Sequence, residues 1–280
     1  MEENLILVEK KDRVCTIRLN RPERRNALSP ELLAQFYQTM NSLKDDETIR
    51  TVVITGAGEK AFSAGFDIGA IPAMTRSESG DPPGDPPGDP PGDPPGDPLQ
   101  EDALGSVFES ISEYPYPVIA MLNGYTFGAG CELAITCDIR IATDTAKMGM
   151  PPVRLGILYA PTAILKFINT VGVVNTKEIF LTGRNYDVNR AKEMGLVNYV
   201  VPKDELKEFT YDMAREISEN APLSLRGFKK IIQTVQKYPG VNEEDWKMMN
   251  EMVTNAFNSE DAGEGVMAFL GKRKAIFKGK

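Results

Sequence analysis

The chain has no histidine among its 280 residues. Histidine is the side chain whose unperturbed pKa suits acid–base work near neutrality. Proton transfer here falls to a carboxylate, a tyrosine, a lysine, a thiol or water, or the chemistry needs little of it. Cysteine is scarce as well. Cys15, Cys131 and Cys137 are odd in number and lack metal-ligand spacing, which predicts free thiols in a reducing compartment and no metal site. No stretch approaches the roughly 20 apolar residues of a membrane span. The acidic start "MEENLILVEKKD" lacks the apolar run of a signal peptide. Positive charge is in the minority, with 32 Lys and Arg against 40 Asp and Glu and a net charge of −8. Phosphate binding wants a basic surface, so nucleic acid is a poor partner, the short "GKRK" at 271–274 aside. A soluble, cytoplasmic protein is the expectation.

What is present is ordinary globular composition, 41% hydrophobic and 26% charged, enough for one large domain or a domain with an appendage. Residues 13–20, "RVCTIRLN", alternate Val14, Thr16 and Arg18 against Cys15, Ile17 and Leu19, the pattern of a half-buried strand. Ser29 then reads as an N-cap with Pro30 at the first helical position, followed by a stripe of Leu32, Leu33, Phe36, Tyr37, Met40 and Leu43. "TVVIT" at 51–55 and "PVIAMLNG" at 117–124 read as buried strands, "CELAITC" as a helix and "DIRIAT" at 138–143 as another strand. This alternation points to α/β architecture. From about 176 onward the pattern reads as helical, with Leu206, Phe209, Met213 and Ile217 at helical spacing, then Phe228, Ile231, Ile232 and Val235. Trp246, Met249, Met252 and Val253 continue it.

From Gly80 the chain reads "GDPPGDPPGDPPGDPPGDP", a period of four, whereas collagen needs glycine at every third residue. Proline removes backbone donors and favours extended, solvated chain, so residues 80–98 read as an exposed insert between folded elements.

Two glycine-bearing turns, "AFSAGFD" at 61–67 and "NGYTFGAGCE" at 123–132, each follow a strand candidate. The second opens a helix, whose first amides are unpaired and carry partial positive charge. Converging, the two turns make an oxyanion hole; kept apart, they are ordinary connections. "GYTFGAG" lacks the Gly-Lys-Ser/Thr ending of a phosphate loop.

"NRPERRNALSPEL", "AFSAGFDI", "PVIAMLNGYTFGAGCELAITCDIRIAT" and "FLGKRKAIF", in that order, resemble the crotonase (enoyl-CoA hydratase/isomerase) superfamily from about residue 5 to 278, interrupted by the insert. The resemblance implies a spiral of ββα units over 1–200 and a C-terminal helical trimerisation region over 201–280. It implies a homotrimer or homohexamer, and an acyl-CoA thioester as ligand with no other cofactor. By motif match the thioester oxygen is held by the N–H groups of Phe66 and Ala129, where alanine replaces the common glycine and its methyl narrows the pocket. Arg25, Ala27, Ala64, Asp67, Ile68, Lys274 and Phe277 fall at coenzyme A positions. Asp67 and Asp138 also read as turn caps or partners of Arg140.

Hydratases of this superfamily use two glutamates. Glu132 matches the first, but Pro152 in "MPPVRLG" stands at the second. "MPPVRLGILYAP" and the C-terminal stretches "AREISENAPLSL" and "NSEDAGEGVMAFLGKRKAIF" instead resemble methylmalonyl-CoA decarboxylases, where a tyrosine stands at the Tyr159 position. Phe66 departs from that subgroup, which has histidine there. The resemblance implies decarboxylation, with Tyr159 orienting the leaving carboxylate beside Ile157 and Leu158. This chemistry suits a chain without histidine, because CO2 departs in place of a proton. Hydration, isomerisation or thioester hydrolysis through Glu132 alone, or acyl-CoA binding without catalysis, are the alternatives.

Loop-closure entropy grows only as the logarithm of length. Replacing residues 80–98 with a short Gly/Ser linker is therefore expected to leave the melting temperature and the oligomer unchanged. A thermal melt and a sizing column check this, and a large fall in either shows that the segment packs.

Overall fold

The computed structural model describes residues 4–67, 69, 98–236 and 243–276. Ile68, Phe277 and the repeat up to residue 97 lie outside them. Two sheets organise the chain. The larger has the order β1 (Ile6–Lys11), β2 (Val14–Leu19), β3 (Thr51–Gly56), β5 (Val118–Leu122), β7 (Ile139–Thr143), β10 (Tyr199–Val201). The smaller has the order β4 (Ala61–Ser63), β6 (Tyr125–Phe127), β8 (Lys147–Gly149), β9 (Asn185–Asp187). Asp12 and Arg13, with φ of 50° and 65°, make the tight turn that lets β1 and β2 pair antiparallel. The other neighbours in the larger sheet are parallel.

The chain winds as a spiral. One strand enters the large sheet, the next enters the small sheet, and a helix returns. Strands β3 and β4 lead to α2 (Pro98–Glu113), β5 and β6 to α3 (Ala129–Thr136), and β7 and β8 to α4 (Pro161–Thr182). This is the expected ββα spiral. Before it comes α1 (Pro30–Lys44), capped by Ser29, whose side chain accepts from the Leu32 amide at 3.3 Å. Leu32, Leu33, Phe36, Met40 and Leu43 bury the expected stripe. Helix α2 opens at Pro98, so the last residue assigned to the insert already belongs to a helix.

Both faces of the large sheet are covered. Cys15, Ile17, Leu19, Val52 and Ile54 join the main core with α1 and α2. Val14, Val53, Ile119, Met121 and Ile141 pack on the other side against α6 (Leu206–Glu219), with Thr16 Oγ1 2.7 Å from the Tyr211 hydroxyl. Strand β2 is therefore buried on both faces except for half-buried Arg18, not half-buried as its alternation suggests. An interior strand covered on both sides has no solvent face, and Thr16 tolerates this through its hydroxyl partner.

Beyond residue 176 the chain is not purely helical. Strands β9 and β10 occur there, separated by α5 (Val188–Met194). Each has three residues, too short for periodicity, and exists because an established strand offers its edge. The final helices are α7 (Pro222–Gln236), α8 (Glu243–Phe257) and α9 (Glu260–Leu270). Helix α7 leaves Leu223, Phe228, Ile231 and Ile232 exposed. Its anchor is Lys229, whose buried ammonium donates to Asp138 Oδ2 at 2.8 Å and to the Tyr116 carbonyl at 3.0 Å. Asp138 thus pairs with Lys229 and accepts the Val118 amide, and is not a partner of Arg140. The Arg140 guanidinium donates to the carbonyls of Leu196 and Cys137.

Lys229→Ala leaves the Asp138 carboxylate without its cation and α7 without its anchor. Removing one partner of a fully buried pair costs about 3–5 kcal/mol; Asp138 keeps some contact with water, so about 2 kcal/mol is expected. A denaturant titration measures the loss.

Candidate active site

The "NRPERRNALS" segment wraps onto the end of the large sheet through one side chain. Asn26 is fully buried, with φ of 55°. Its amide donates to the carbonyls of Ala57 at 3.0 Å and Ala61 at 2.8 Å, and its oxygen accepts the Arg21 amide at 3.1 Å. Asparagine tolerates the left-handed backbone better than most residues. Ser63 Oγ donates to the Asn26 carbonyl at 2.8 Å and accepts the Gly65 amide at 3.2 Å. The chain after β4 is thereby laid alongside residue 28. Leu28 and Phe66 form a parallel bridge, in which the Leu28 amide donates to Gly65 and the Asp67 amide donates to Leu28. A parallel ladder turns the amide of the intervening residue away from its partner. The Phe66 N–H therefore points away from residue 28.

The second amide comes from α3. Its N-cap is Gly128, with φ of 54° and ψ of −129°, and Ala129 is its first residue. The first amides of a helix have no intrahelical acceptor. Gly65, with φ of 98°, brings the two turns together: a β-carbon there would sit 2.7 Å from the Phe127 carbonyl and 3.3 Å from the Ala129 nitrogen. A β-carbon on Gly130 would meet Ser63 Cβ at 2.6 Å. The expected Phe66 and Ala129 amides are thus brought to one place by backbone contact that only glycine permits. Ala129 itself is buried and belongs to the main core cluster.

Tyr159 stands at the same place. Its hydroxyl lies 3.7 Å from the position of a β-carbon on Gly128. The ring packs edge-on against Phe180, centroids 5.9 Å apart, and Phe180 packs against Phe167 at 4.9 Å. Burial first, then the charges of Glu132 and Cys131, push the phenol pKa upward, so Tyr159 remains a neutral hydrogen-bond donor. Leu158 is exposed and Ile157 half-buried beside it. Pro152 is buried in the 3-10 turn Pro152–Leu155 that leads to Tyr159. Helix α9 closes on this turn so tightly that a β-carbon on Gly265 would overlap the Leu155 carbonyl at 2.0 Å.

Glu132 is buried on α3 and its Oε1 is 3.2 Å from Lys166 Nζ of α4. The ammonium also lies 4.4 Å from the Phe108 ring centroid. Burial pushes the Glu132 pKa up, Lys166 pulls it down, and Asp102 adds to the rise. The only signal that the sequence offers for Lys166 is a lone charge in the apolar run "AILKFI". Arg21 and Asn26, polar residues in a stretch that reads as a loop, and Ser63, a small polar residue at the end of β4, give no signal of their part in the site.

The remaining expected positions divide. The Ala64 amide donates to the Arg25 carbonyl at 2.9 Å, and both residues are exposed beside Phe66. Ala27 is buried, and its carbonyl accepts from Arg21. Asp67 binds Arg21 at 2.9 Å and caps the Gly69 amide, so it too is not a partner of Arg140. Lys274 is exposed after α9, where Glu264 grips the Arg273 guanidinium at 2.6 and 2.7 Å and accepts the Ile276 amide. No hydrogen bond or ion pair joins Lys274 to the Arg25 group among the described residues.

Residues 9–82 and 97–280 match the sequence pattern of the Enoyl-CoA hydratase/isomerase family. The chain belongs to this family. Its members act on acyl-CoA, and residues 83–96 fall between the two matched stretches, within the Gly-Asp-Pro-Pro repeat. The chain is 31% identical over 275 residues to the short-chain-enoyl-CoA hydratase of Clostridium acetobutylicum, covering 98% of this chain and 97% of that one. It is also 31% identical over 277 residues to the methylmalonyl-CoA decarboxylase of Escherichia coli, covering 99% and 97%. A solved methylmalonyl-CoA decarboxylase complexed with 2S-carboxypropyl CoA superposes with a TM-score of 0.86 at 30% identity, covering all of both chains. An enoyl-CoA hydratase from Bacillus anthracis, also 30% identical, superposes with a TM-score of 0.71 over 99% of this chain and 100% of that one.

Gly65→Ala forces a β-carbon against the Phe127 carbonyl and displaces the Phe66 amide. The family resemblance implies that this amide is one of two oxyanion donors, and losing one such donor costs on the order of 3 kcal/mol of transition-state stabilisation, or about a hundredfold in kcat. We expect that fall in steady-state turnover of the acyl-CoA substrate, with the circular dichroism spectrum unchanged.

Proposed function

We propose that the chain decarboxylates a malonyl-type acyl-CoA thioester, with methylmalonyl-CoA as the first candidate. The observation that carries this reading is the placement of the neutral Tyr159 hydroxyl at Gly128, beside the start of α3; by motif match, Pro152 also stands at the position where hydratases of the family carry their second glutamate. Glu132, the one glutamate left, is tied to Lys166. The greater likeness to decarboxylase structures than to the hydratase structures compared supports it further.

In the proposed reaction the Phe66 and Ala129 amides bind the thioester oxygen. Tyr159 donates to the substrate carboxylate and holds it out of the thioester plane. The C–C bond then breaks with its electron pair aligned to the carbonyl, CO2 leaves, and the enolate charge gathers on the oxygen between the amides. No base is needed for this step, and water supplies the proton to carbon. Arg25, Ala27, Ala64 and Asp67 border the coenzyme A moiety, with Lys274 reaching it from the tail. No other cofactor takes part. The exposed apolar residues of α7 pack in a homotrimer or homohexamer formed by the C-terminal helices, and the protein works in the cytoplasm.

Tyr159→Phe is expected to leave folding intact and lower kcat/KM by at least about tenfold, roughly 1.4 kcal/mol. Glu132→Gln is expected to cost less. The assay follows CO2 release from methylmalonyl-CoA against hydration of a short enoyl-CoA. Hydration by wild type that vanishes in folded Glu132→Gln replaces this reading with that of a one-glutamate hydratase.

A further inference from the structure

We infer that Lys166 is a specificity-determining residue of the acyl pocket: held against Glu132, it cancels a buried negative charge that a substrate carrying its own carboxylate would otherwise have to approach. The inference rests on the reading of the substrate as a malonyl-type thioester.

Glu132 stands one turn along α3 from Gly128, its amide donating to the Gly128 carbonyl at 3.1 Å, and Gly128 is the residue at which the Tyr159 hydroxyl lies. The carboxylate is thus carried close to the tyrosine, and its charge is felt at the Tyr159 phenol. A carboxylate in this place suits a substrate without charge. For a malonyl-type thioester it is a like charge beside the group that must be seated. At short range in a partly desolvated site such repulsion is strong.

Lys166 removes the conflict. It enters from α4, the helix that begins two residues after Tyr159, and its ammonium is fixed between Glu132 Oε1 at 3.2 Å and the Phe108 ring at 4.4 Å. The other titratable groups acting on Glu132 and Tyr159 offer no positive charge. Asp102 of α2 is acidic, with Oδ1 accepting the Gly105 amide at 2.8 Å. Cys131 is a buried thiol pushed up to about 12, first by burial. Lys166 is thus the one cation paired with Glu132 among the described residues. It does not need to touch the substrate. A cation on the leaving carboxylate would stabilise the ground state and oppose loss of CO2. Spent on Glu132, the charge admits the carboxylate without holding it.

The test compares two unreactive ligands by calorimetry, 2-carboxypropyl-CoA and propyl-CoA, which differ by the carboxylate. Wild type, Lys166→Met and the double variant Lys166→Met/Glu132→Gln are titrated at about pH 6 and about pH 8.5. In Lys166→Met, 2-carboxypropyl-CoA should weaken by about tenfold or more at the higher pH, with propyl-CoA within about twofold. The loss should shrink at the lower pH, because burial favours the protonated form of the orphaned Glu132. The double variant should return to within about threefold of wild type, since the offending charge is gone.

Equal weakening of both ligands, or none, overturns the inference. So does a pH-independent loss that Glu132→Gln fails to restore, which means that Lys166 binds the ligand carboxylate itself. Wild type that takes propyl-CoA and refuses 2-carboxypropyl-CoA overturns it together with the malonyl-type reading. Because neither ligand reacts, failure of CO2 release leaves these binding results standing on their own. If Lys166→Met does not fold, Lys166→Gln, which keeps a hydrogen-bonding group without the charge, carries the same comparison.

Discussion

Everything in the site hangs on one close approach of backbone to backbone, that of Gly65 to the start of α3. The Phe66 and Ala129 amides belong to different ββα units, and neither unit alone carries both turns. They converge because nothing larger than hydrogen stands between Gly65 and the Phe127 carbonyl. The rest of the local structure serves this contact. Asn26 ties the preceding loop to β3 and β4, Ser63 ties Gly65 to Asn26, and the Leu28–Phe66 bridge sets which way the Phe66 amide points. Preorganised donors do not have to reorient as charge develops, which is why rigid scaffolding matters at this spot.

Much of this was legible in the residues, for physical reasons. Strands β3 and β5 are continuous apolar runs because helices cover both of their faces. Helix α1 announces itself through its Ser29 cap, Pro30 and a one-sided stripe. The glycine turns that carry Phe66 and Ala129 stand out because left-handed backbone and tight approach leave few other residues possible. The family resemblance then supplied the connection between these turns, which spacing alone left open.

What was illegible depended on tertiary partners. The burial of both faces of β2 comes from α6, far along the chain, and its alternation gave no sign of it. Strands β9 and β10 form only because other strands present free edges. Asp67 and Asp138 chose Arg21 and Lys229, and Arg140 turned to carbonyls, choices set by three-dimensional proximity. Lys166 is the most telling case. A lysine within an apolar helix is ambiguous until Glu132 is found against it. That pair decides the charge the pocket presents to its substrate.

The seating of α9 on the 3-10 turn before Tyr159 has a consequence for the order of events in synthesis. The Leu155 carbonyl occupies space that any side chain at position 265 would claim, so turn and helix define each other's position. A chain emerging from the ribosome has both oxyanion turns and the tyrosine long before it has Gly265. Until that residue arrives, the segment carrying Tyr159 lacks the surface that fixes its height. The placement of Tyr159 is therefore complete only once residue 265 has been made, so the site is finished by a contact from far along the chain.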